Sequence, residues 1–302
     1  MAFIFKRQFF IPLLIVWLGY ISYFIWQLNK YYGDDFSNKG LPLRLKMEWF
    51  MAQVMGPSVL FTFLLAFLVG TCCYAHYSYR KRQHSFRPFS TINLLVLVIV
   101  AAGCFVYAGF IQAGYQRKSL NMLSAIVYSR TAEDYYSGKN QTNELYLPPE
   151  MNNLPKLIRL RQQAKSAETI QESNPGEYVS PWGSKFHRLD FAIGSIVLFP
   201  FIVLLYYPLG IFTGIIFRRL HIIIPVLVAG ALFFLAYNLG QQWLDRLYKQ
   251  EKISLRTALL SIPLVLSLLS VLGYWYCSKR HLLPGKSGAP AFQFEEEETA
   301  PY

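Results

Sequence analysis

Lysine, arginine and acidic side chains are missing from six long stretches of this 302-residue chain, at residues 9–28, 57–77, 92–113, 191–217, 220–240 and 257–277. Each stretch is near or above the ~20 apolar residues that carry a helix across a bilayer. The absence constrains mechanism as well as location. A pump or ion-coupled transporter holds ionisable groups at membrane depth, where a bound proton or ion needs a partner. Here His76 and His221 are the only such side chains within the runs, and both sit at run ends. An ion-driven transporter is thereby disfavoured. If anything is moved, the energy comes from another subunit.

Cysteine is scarce too. Cys72, Cys73, Cys104 and Cys277 all lie in the apolar runs or at their ends, so no external disulfide framework exists. Cys72 and Cys73 are adjacent and point to different faces of a helix, so they do not chelate as a C-x-x-C pair does. They read as packed apolar thiols. Catalytic motifs are missing as well: the chain has no H-E-x-x-H, G-x-S-x-G or C-x-x-C. Gly285-Lys286-Ser287 resembles the end of a phosphate-binding loop, but Arg280 stands where the first glycine is required and no strand precedes it. Asn140-Gln141-Thr142 matches the glycosylation acceptor pattern, a three-residue match that is common by chance. Asp34 and Asp35 beside Gly33 read as a solvated turn. With no catalytic constellation, the sequence points away from an enzyme, and no cofactor or metal is expected.

What is present is apolar and basic. The chain is 54% hydrophobic with a mean hydropathy of +0.28, outside the range of a soluble domain. Lys6 and Arg7 precede the first run in the manner of a signal peptide. The run is too long for a signal core, and no small-x-small site follows Trp26, so it reads as a retained first span. The net charge of +12 is spread over many loops without a recognition motif, and nucleic acid is not an expected partner. The distribution is better used for orientation. Arg80, Lys81, Arg82 and Arg87 follow the second run, Arg218 and Arg219 mark a short turn, and Lys279, Arg280 and Lys286 follow the last run. The positive-inside rule places these segments and the N-terminus in the cytoplasm, with 29–56, 114–190 and 241–256 outside.

The expected fold is an all-α membrane protein of six transmembrane helices, in two three-helix halves with a short extracytoplasmic insert. Residues 1–113 hold spans one to three, 114–190 the insert, 191–278 spans four to six, and 279–302 a disordered cytoplasmic tail carrying four glutamates at 295–298. The amphipathic stretch 120–129 continues span three as a helix. In 151–172, Leu154, Leu157 and Ile158 recur at helical spacing among Lys156, Arg159, Arg161 and Lys165, which predicts a helix near the membrane surface. Few period-2 runs occur, so little β-structure is expected. Pro200 and Pro208 predict kinks in the fourth span.

Four outward basic residues form a candidate site: Lys30, Lys39, Arg44 and Lys46. One reading is interface charge that snorkels to lipid head groups. The other is a site for the phosphates of an amphipathic lipid, held by charge-assisted bonds.

The order of features in the second half is more specific. Lys185-Phe186-His187-Arg188 leads into span four, which carries Tyr207-Pro208-Leu209-Gly210 late in its course. Arg218-Arg219 then turns the chain into span five, which holds Ala236-Tyr237-Asn238-Leu239-Gly240. A short outer loop follows, then span six with Pro263 near its start. This arrangement resembles the LptF/LptG permease family, the membrane subunits of the ABC transporter that extracts lipopolysaccharide from the bacterial inner membrane.

The resemblance implies a multi-pass inner-membrane protein with both termini cytoplasmic. It also implies three partners: a second six-span permease subunit, a cytoplasmic ABC ATPase and a phosphorylated glycolipid. It places spans one and five at the seam of a lipid-accommodating cavity and assigns Lys30, Lys39, Arg44 and Lys46 to the head group. Arg80, Lys81, Arg82, His84 and Arg87 stand where the family's coupling helix contacts the ATPase subunit. Two features differ from the family. The external segment is short for its β-jellyroll, and the loop 79–90 has no acidic residue. The alternative expectation is a non-transporting membrane scaffold or accessory subunit that kept the permease fold.

Overall fold

A computed structural model describes residues 3–38, 43–80, 87–128, 152–173, 183–236, 242–250 and 252–280. Among them there is no strand, and helices account for nearly all of these described residues. After a single 3-10 turn at Phe3–Phe5 comes α1 (Arg7–Asn38). Next, α2 (Leu43–Gln53) passes through a π turn (Val54–Ser58) into α3 (Val59–Arg80). In the same way, α4 (Thr91–Val106) passes through a π turn (Tyr107–Ile111) into α5 (Gln112–Tyr128). They are followed by α6 (Leu154–Ser173), α7 (Gly183–Ile216), α8 (Ile223–Phe233), α9 (Gln242–Lys249) and α10 (Leu255–Lys279).

Local chemistry sets several of these boundaries. Ser90 and Ser254 are the N-caps of α4 and α10. Their hydroxyls accept from the main-chain N–H of Asn93 at 3.4 Å and of Thr257 at 3.2 Å, satisfying donors that a helix start leaves open. Pro57 lies in the first π turn. Proline has no N–H to return to the preceding turn, and a π turn is one way a helix continues past such a gap.

Five helices are long and apolar enough to cross a membrane: Arg7–Lys30, Val59–Arg80, Thr91–Met122, Leu189–Ile216 and Leu255–Lys279. They match five of the six apolar runs. The remaining run, 220–240, forms the shorter apolar helix Ile223–Ala236, and residues 237–241 lie outside the described ones. At ~1.5 Å per residue this piece covers about 21 Å, short of the ~30 Å hydrocarbon core. Helix α6 lies where the spacing of Leu154, Leu157 and Ile158 predicts it, and α5 continues the third run as expected.

Helix α3 is the centre of the bundle. Of its most apolar window, 78% is buried, against 6% for α1 and 17% for α10. Phe9 of α1 packs on Gly70 of α3, while Tyr20 packs on Phe61, so these two helices run antiparallel. Helix α7 runs parallel to α3. A Cβ placed on Gly210 would lie 2.0 Å from Thr71 Oγ1, and one on Gly214 would lie 2.3 Å from the Cys72 carbonyl oxygen. Only hydrogen fits there. The pair is a G-x-x-x-G, the spacing that lets helix backbones approach in a bilayer. Helix α10 follows α7 in the same direction, with Leu259 against Gly194 and Gly273 against Phe212. Successive apolar helices therefore alternate in direction. Phe3, residues 87–90, the turn 217–222 and the end of α10 share one end of the bundle, called here the basic end. The outer faces stay apolar and uncovered, as at Leu95, Val98 and Ile99 of α4 and Leu264, Val265 and Leu268 of α10.

Candidate functional site

The structure describes three of the four candidate basic residues and separates them. Lys46 turns toward α1 and donates to Asn29 Oδ1 at 2.6 Å, with its ammonium also over the Phe50 ring at 5.7 Å. That bond brings it beside Lys30, whose ammonium sits 5.6 Å from the Trp26 ring. Arg44 lies on another face of α2, two residues and about 200° of helix rotation away. It pairs with Glu48 at 3.2 Å, one turn along. Lys39 lies outside the described residues.

Arg44 belongs to a different group, which the sequence reading missed. Lys118 of α5 reaches the second oxygen of Glu48 at 3.9 Å. Between α2 and α5 runs a groove of about 560 Å³, lined by Leu43, Arg44, Met47, Glu48, Met51, Ala52, Tyr115 and Lys118. Leu43, Met47 and Met51 recur every four residues, so they form one ridge, and all three are largely exposed. The groove thus sets an adaptable apolar surface, mostly methionine, beside two cations that share one carboxylate. Such a surface accommodates an amphipath, with chains along the methionines and anionic groups at the rim. Lys118 is 70 residues from Glu48 in sequence, and no local pattern joins them.

Two π turns lie below this groove. Tyr107, in the second, donates its hydroxyl hydrogen to the Met55 carbonyl in the first. Gly56 lies against the Gln116 main chain, where an added Cβ would come within 3.1 Å of its nitrogen. A second cleft of about 160 Å³ opens between α3, the second π turn, α7 and α10. It is mainly apolar, with Gln112 and Ser195 as its polar lining.

Nearby, α6 docks on the start of α7. Leu157 and Leu189 are fully buried, and the Arg161 guanidinium pairs with the Asp190 carboxylate. Tyr248 of α9 stacks on Phe191 with ring centroids 5.8 Å apart. Burial, and then the Asp190 carboxylate, push the Tyr248 hydroxyl above the usual tyrosine range.

At the basic end the expected ATPase-contact residues are only partly described. Arg80 and Arg87 are exposed, while Lys81, Arg82 and His84 lie outside the described residues. The segment that follows them is fixed through Asn93, another residue not found from sequence. Asn93 Nδ2 donates to the carbonyls of Arg87 at 2.9 Å and Pro88 at 3.1 Å, and its Oδ1 accepts from the Phe3 N–H at 3.0 Å. The Tyr207 hydroxyl also donates to the Pro88 carbonyl. Phe3 itself sits among Phe9, Phe67, Tyr74 and Tyr207, with centroids 4.8–6.3 Å away. A buried carboxamide that uses both donors and its acceptor pins three separate chain segments at once.

Among the described residues no group of three or more His, Cys, Asp or Glu is placed to hold a metal. No family model, curated protein or solved structure matches the chain.

Proposed function

We propose that this chain is a permease-type subunit that accommodates a phosphorylated amphipathic lipid in a bacterial inner membrane, working with a second six-span subunit and a cytoplasmic ABC-type ATPase. The observation that carries the reading is the groove between α2 and α5, where the exposed Leu43–Met47–Met51 ridge runs beside Arg44 and Lys118. Lys30 and Lys46 supply two more cations at the neighbouring α1–α2 seam. The spans lack charge, so acyl chains meet no desolvation cost along them, and an external motor must supply the work. On this reading the basic end is cytoplasmic, and Arg80 and Arg87 border the ATPase surface.

The test is a gentle-detergent pull-down of the tagged protein from its native membrane, with mass spectrometry of proteins and bound lipid. Recovery of an ABC-type ATPase, a second six-span protein and a phosphorylated glycolipid supports the reading. A second test reverses Lys30, Arg44, Lys46 and Lys118 together. Unchanged lipid recovery and unchanged export would remove the head-group assignment.

One observation favours the scaffold alternative. The close α3–α7 contact at Gly210 and Gly214 leaves no room for cargo between those two helices. Stimulation of a cognate ATPase by the purified chain separates the two readings, because a scaffold leaves its turnover unchanged.

A further inference from the structure

Among the described residues the basic end carries a charge cluster with no ion pair, above a buried polar group. The chain has no Asp or Glu between residues 49 and 132 or between 191 and 244. All three described ion pairs use Glu48 or Asp190, on helices at the opposite end of the bundle. Helices α3 and α7 run parallel with Gly214 against the His76 main chain, since a Cβ there would lie 2.9 Å from the His76 backbone nitrogen. One turn further along each helix come Arg80 and Arg218. The Arg218 guanidinium lies over the Tyr79 ring at 4.9 Å, which brings it to the end of α3. His76 is within electrostatic reach of Arg80 and His221. It is fully buried, and neither ring nitrogen has a hydrogen-bond partner. Ser78 is equally buried, and its hydroxyl is also unpartnered. Buried polar groups are ordinarily satisfied, and leaving them open is costly. Ser78 is about 200° around α3 from His76 and faces a different neighbour; an acceptor oxygen at the basic end would meet the cations and one imidazole N–H of His76.

We propose that the basic end binds one anionic phospholipid, its phosphate held by Arg80, Arg218 and His221 within reach of the His76 imidazole. Three features select a lipid rather than a free anion. The site lies at the ends of apolar helices. The outer face of α10, turned away from the buried Cys277, is uncovered and apolar at Val271, Leu272 and Trp275, and acyl chains can lie along it from the basic end. Lys279 and Arg280 sit over the rings of Trp275 and Tyr276 at 5.0 and 6.0 Å, which holds further positive charge at head-group level. Phosphate recognition by arginine is bidentate and strong. This site is separate from the α2–α5 groove and does not depend on the transport reading.

The experiment uses the full-length protein and native mass spectrometry in an equimolar mixture of dioleoylphosphatidylglycerol and dioleoylphosphatidylcholine. One phosphatidylglycerol is expected to be retained per chain. Arg80→Gln and Arg218→Gln should each reduce retention about fivefold, the typical effect of one basic residue at a lipid surface. Lys252→Gln with Arg256→Gln, at the opposite end, should leave it unchanged. His76→Leu supplies a second readout. In phosphatidylcholine nanodiscs it should raise the thermal midpoint, because an unsatisfied polar group is removed. In phosphatidylglycerol nanodiscs it should abolish the lipid-dependent gain that the parent shows. Equal retention of the two lipids, or retention insensitive to both arginine changes, overturns the proposal. So does displacement of the lipid by millimolar inorganic phosphate, which would make this a free-anion site. If lipid binds only after residues 287–302 are deleted, the occupant is the glutamate run 295–298, and the proposal likewise fails.

Discussion

Tyr107 donates its hydroxyl hydrogen to the main-chain oxygen of Met55, joining the π turn of one long helix to the π turn of its neighbour. A π turn leaves a carbonyl poorly served within its own helix, and few donors are on hand in an apolar bundle. The tyrosine ring fills the space between the helices while its hydroxyl satisfies that carbonyl.

Tyr107→Phe keeps the ring and removes the donor. The expected cost is about 1–3 kcal/mol, the usual penalty for a buried acceptor left open. A lowered thermal midpoint in nanodiscs, with unchanged helix content by circular dichroism, checks it. An unchanged midpoint would mean the bond adds nothing.

The glycine contacts give a sharper contrast. Gly214→Ala sets a methyl against the Cys72 carbonyl, where 2.3 Å is available, so α3 and α7 must separate. Overpacking of this kind costs about 1–3 kcal/mol. Gly103→Ala in α4 meets nothing within 4 Å and should be neutral or slightly stabilising through helix propensity. Comparing folded yield by size-exclusion chromatography tests both. Equal yields would refute the close approach.

Asn93→Ala should release Phe3 and the 87–88 main chain together, since all three of its side-chain bonds are lost. The loss is on the order of 2–3 kcal/mol at about 1 kcal/mol per bond. Limited chymotrypsin digestion of purified protein should then cut faster after Phe89, while cutting after Trp243 at the other end keeps its rate. Uniform acceleration at both sites would indicate general unfolding instead.

Tyr248 gives a pH signature. Burial and the Asp190 carboxylate hold its hydroxyl protonated above the ordinary value of 10.0. The folded protein therefore keeps a proton that the unfolded chain gives up first. The stability tied to this is fully present below pH 10 and declines as pH rises through it. Asp190→Asn removes the neighbouring charge and should move the Tyr248 titration down toward 10.0, read as the difference in tyrosinate absorbance against Tyr248→Phe. No movement would place the whole effect on burial. The Arg161–Asp190 pair itself should matter little for stability, since Arg161 is half exposed and such pairs contribute about 0–1 kcal/mol.

Much of the helical layout was legible because charge at membrane depth is expensive, and its absence marks a span directly. Helix α6 was legible from the spacing of Leu154, Leu157 and Ile158. The candidate site was legible only in part. Lys46 and Arg44 are two residues apart, yet helix rotation sends them to different neighbours, and a count of basic residues in a loop carries no such angle. Lys118 meets Glu48 only because two helices continue past their π turns and pack alongside each other. Asn93 is an uncharged residue near the start of an apolar run, and a search for ionisable groups passes over it. The G-x-x-x-G at Gly210 and Gly214 was present in the sequence as a recognised packing spacing. It names a small-residue face, while the partner helix appears only in the fold.

The enclosure of α3 has a consequence for the order in which the chain is made. The surface of α3 at Thr71 and Cys72 is closed by Gly210 and Gly214, which emerge from the ribosome roughly 140 residues later; at about 5–20 residues per second this is a wait of some 7–28 seconds. During that interval the first three apolar helices are complete while the groove on α3 that α7 fills is still open. Assembly is therefore completed by the arrival of α7, and a ribosome stalled before residue 210 leaves a half-built bundle whose most buried helix still faces its surroundings.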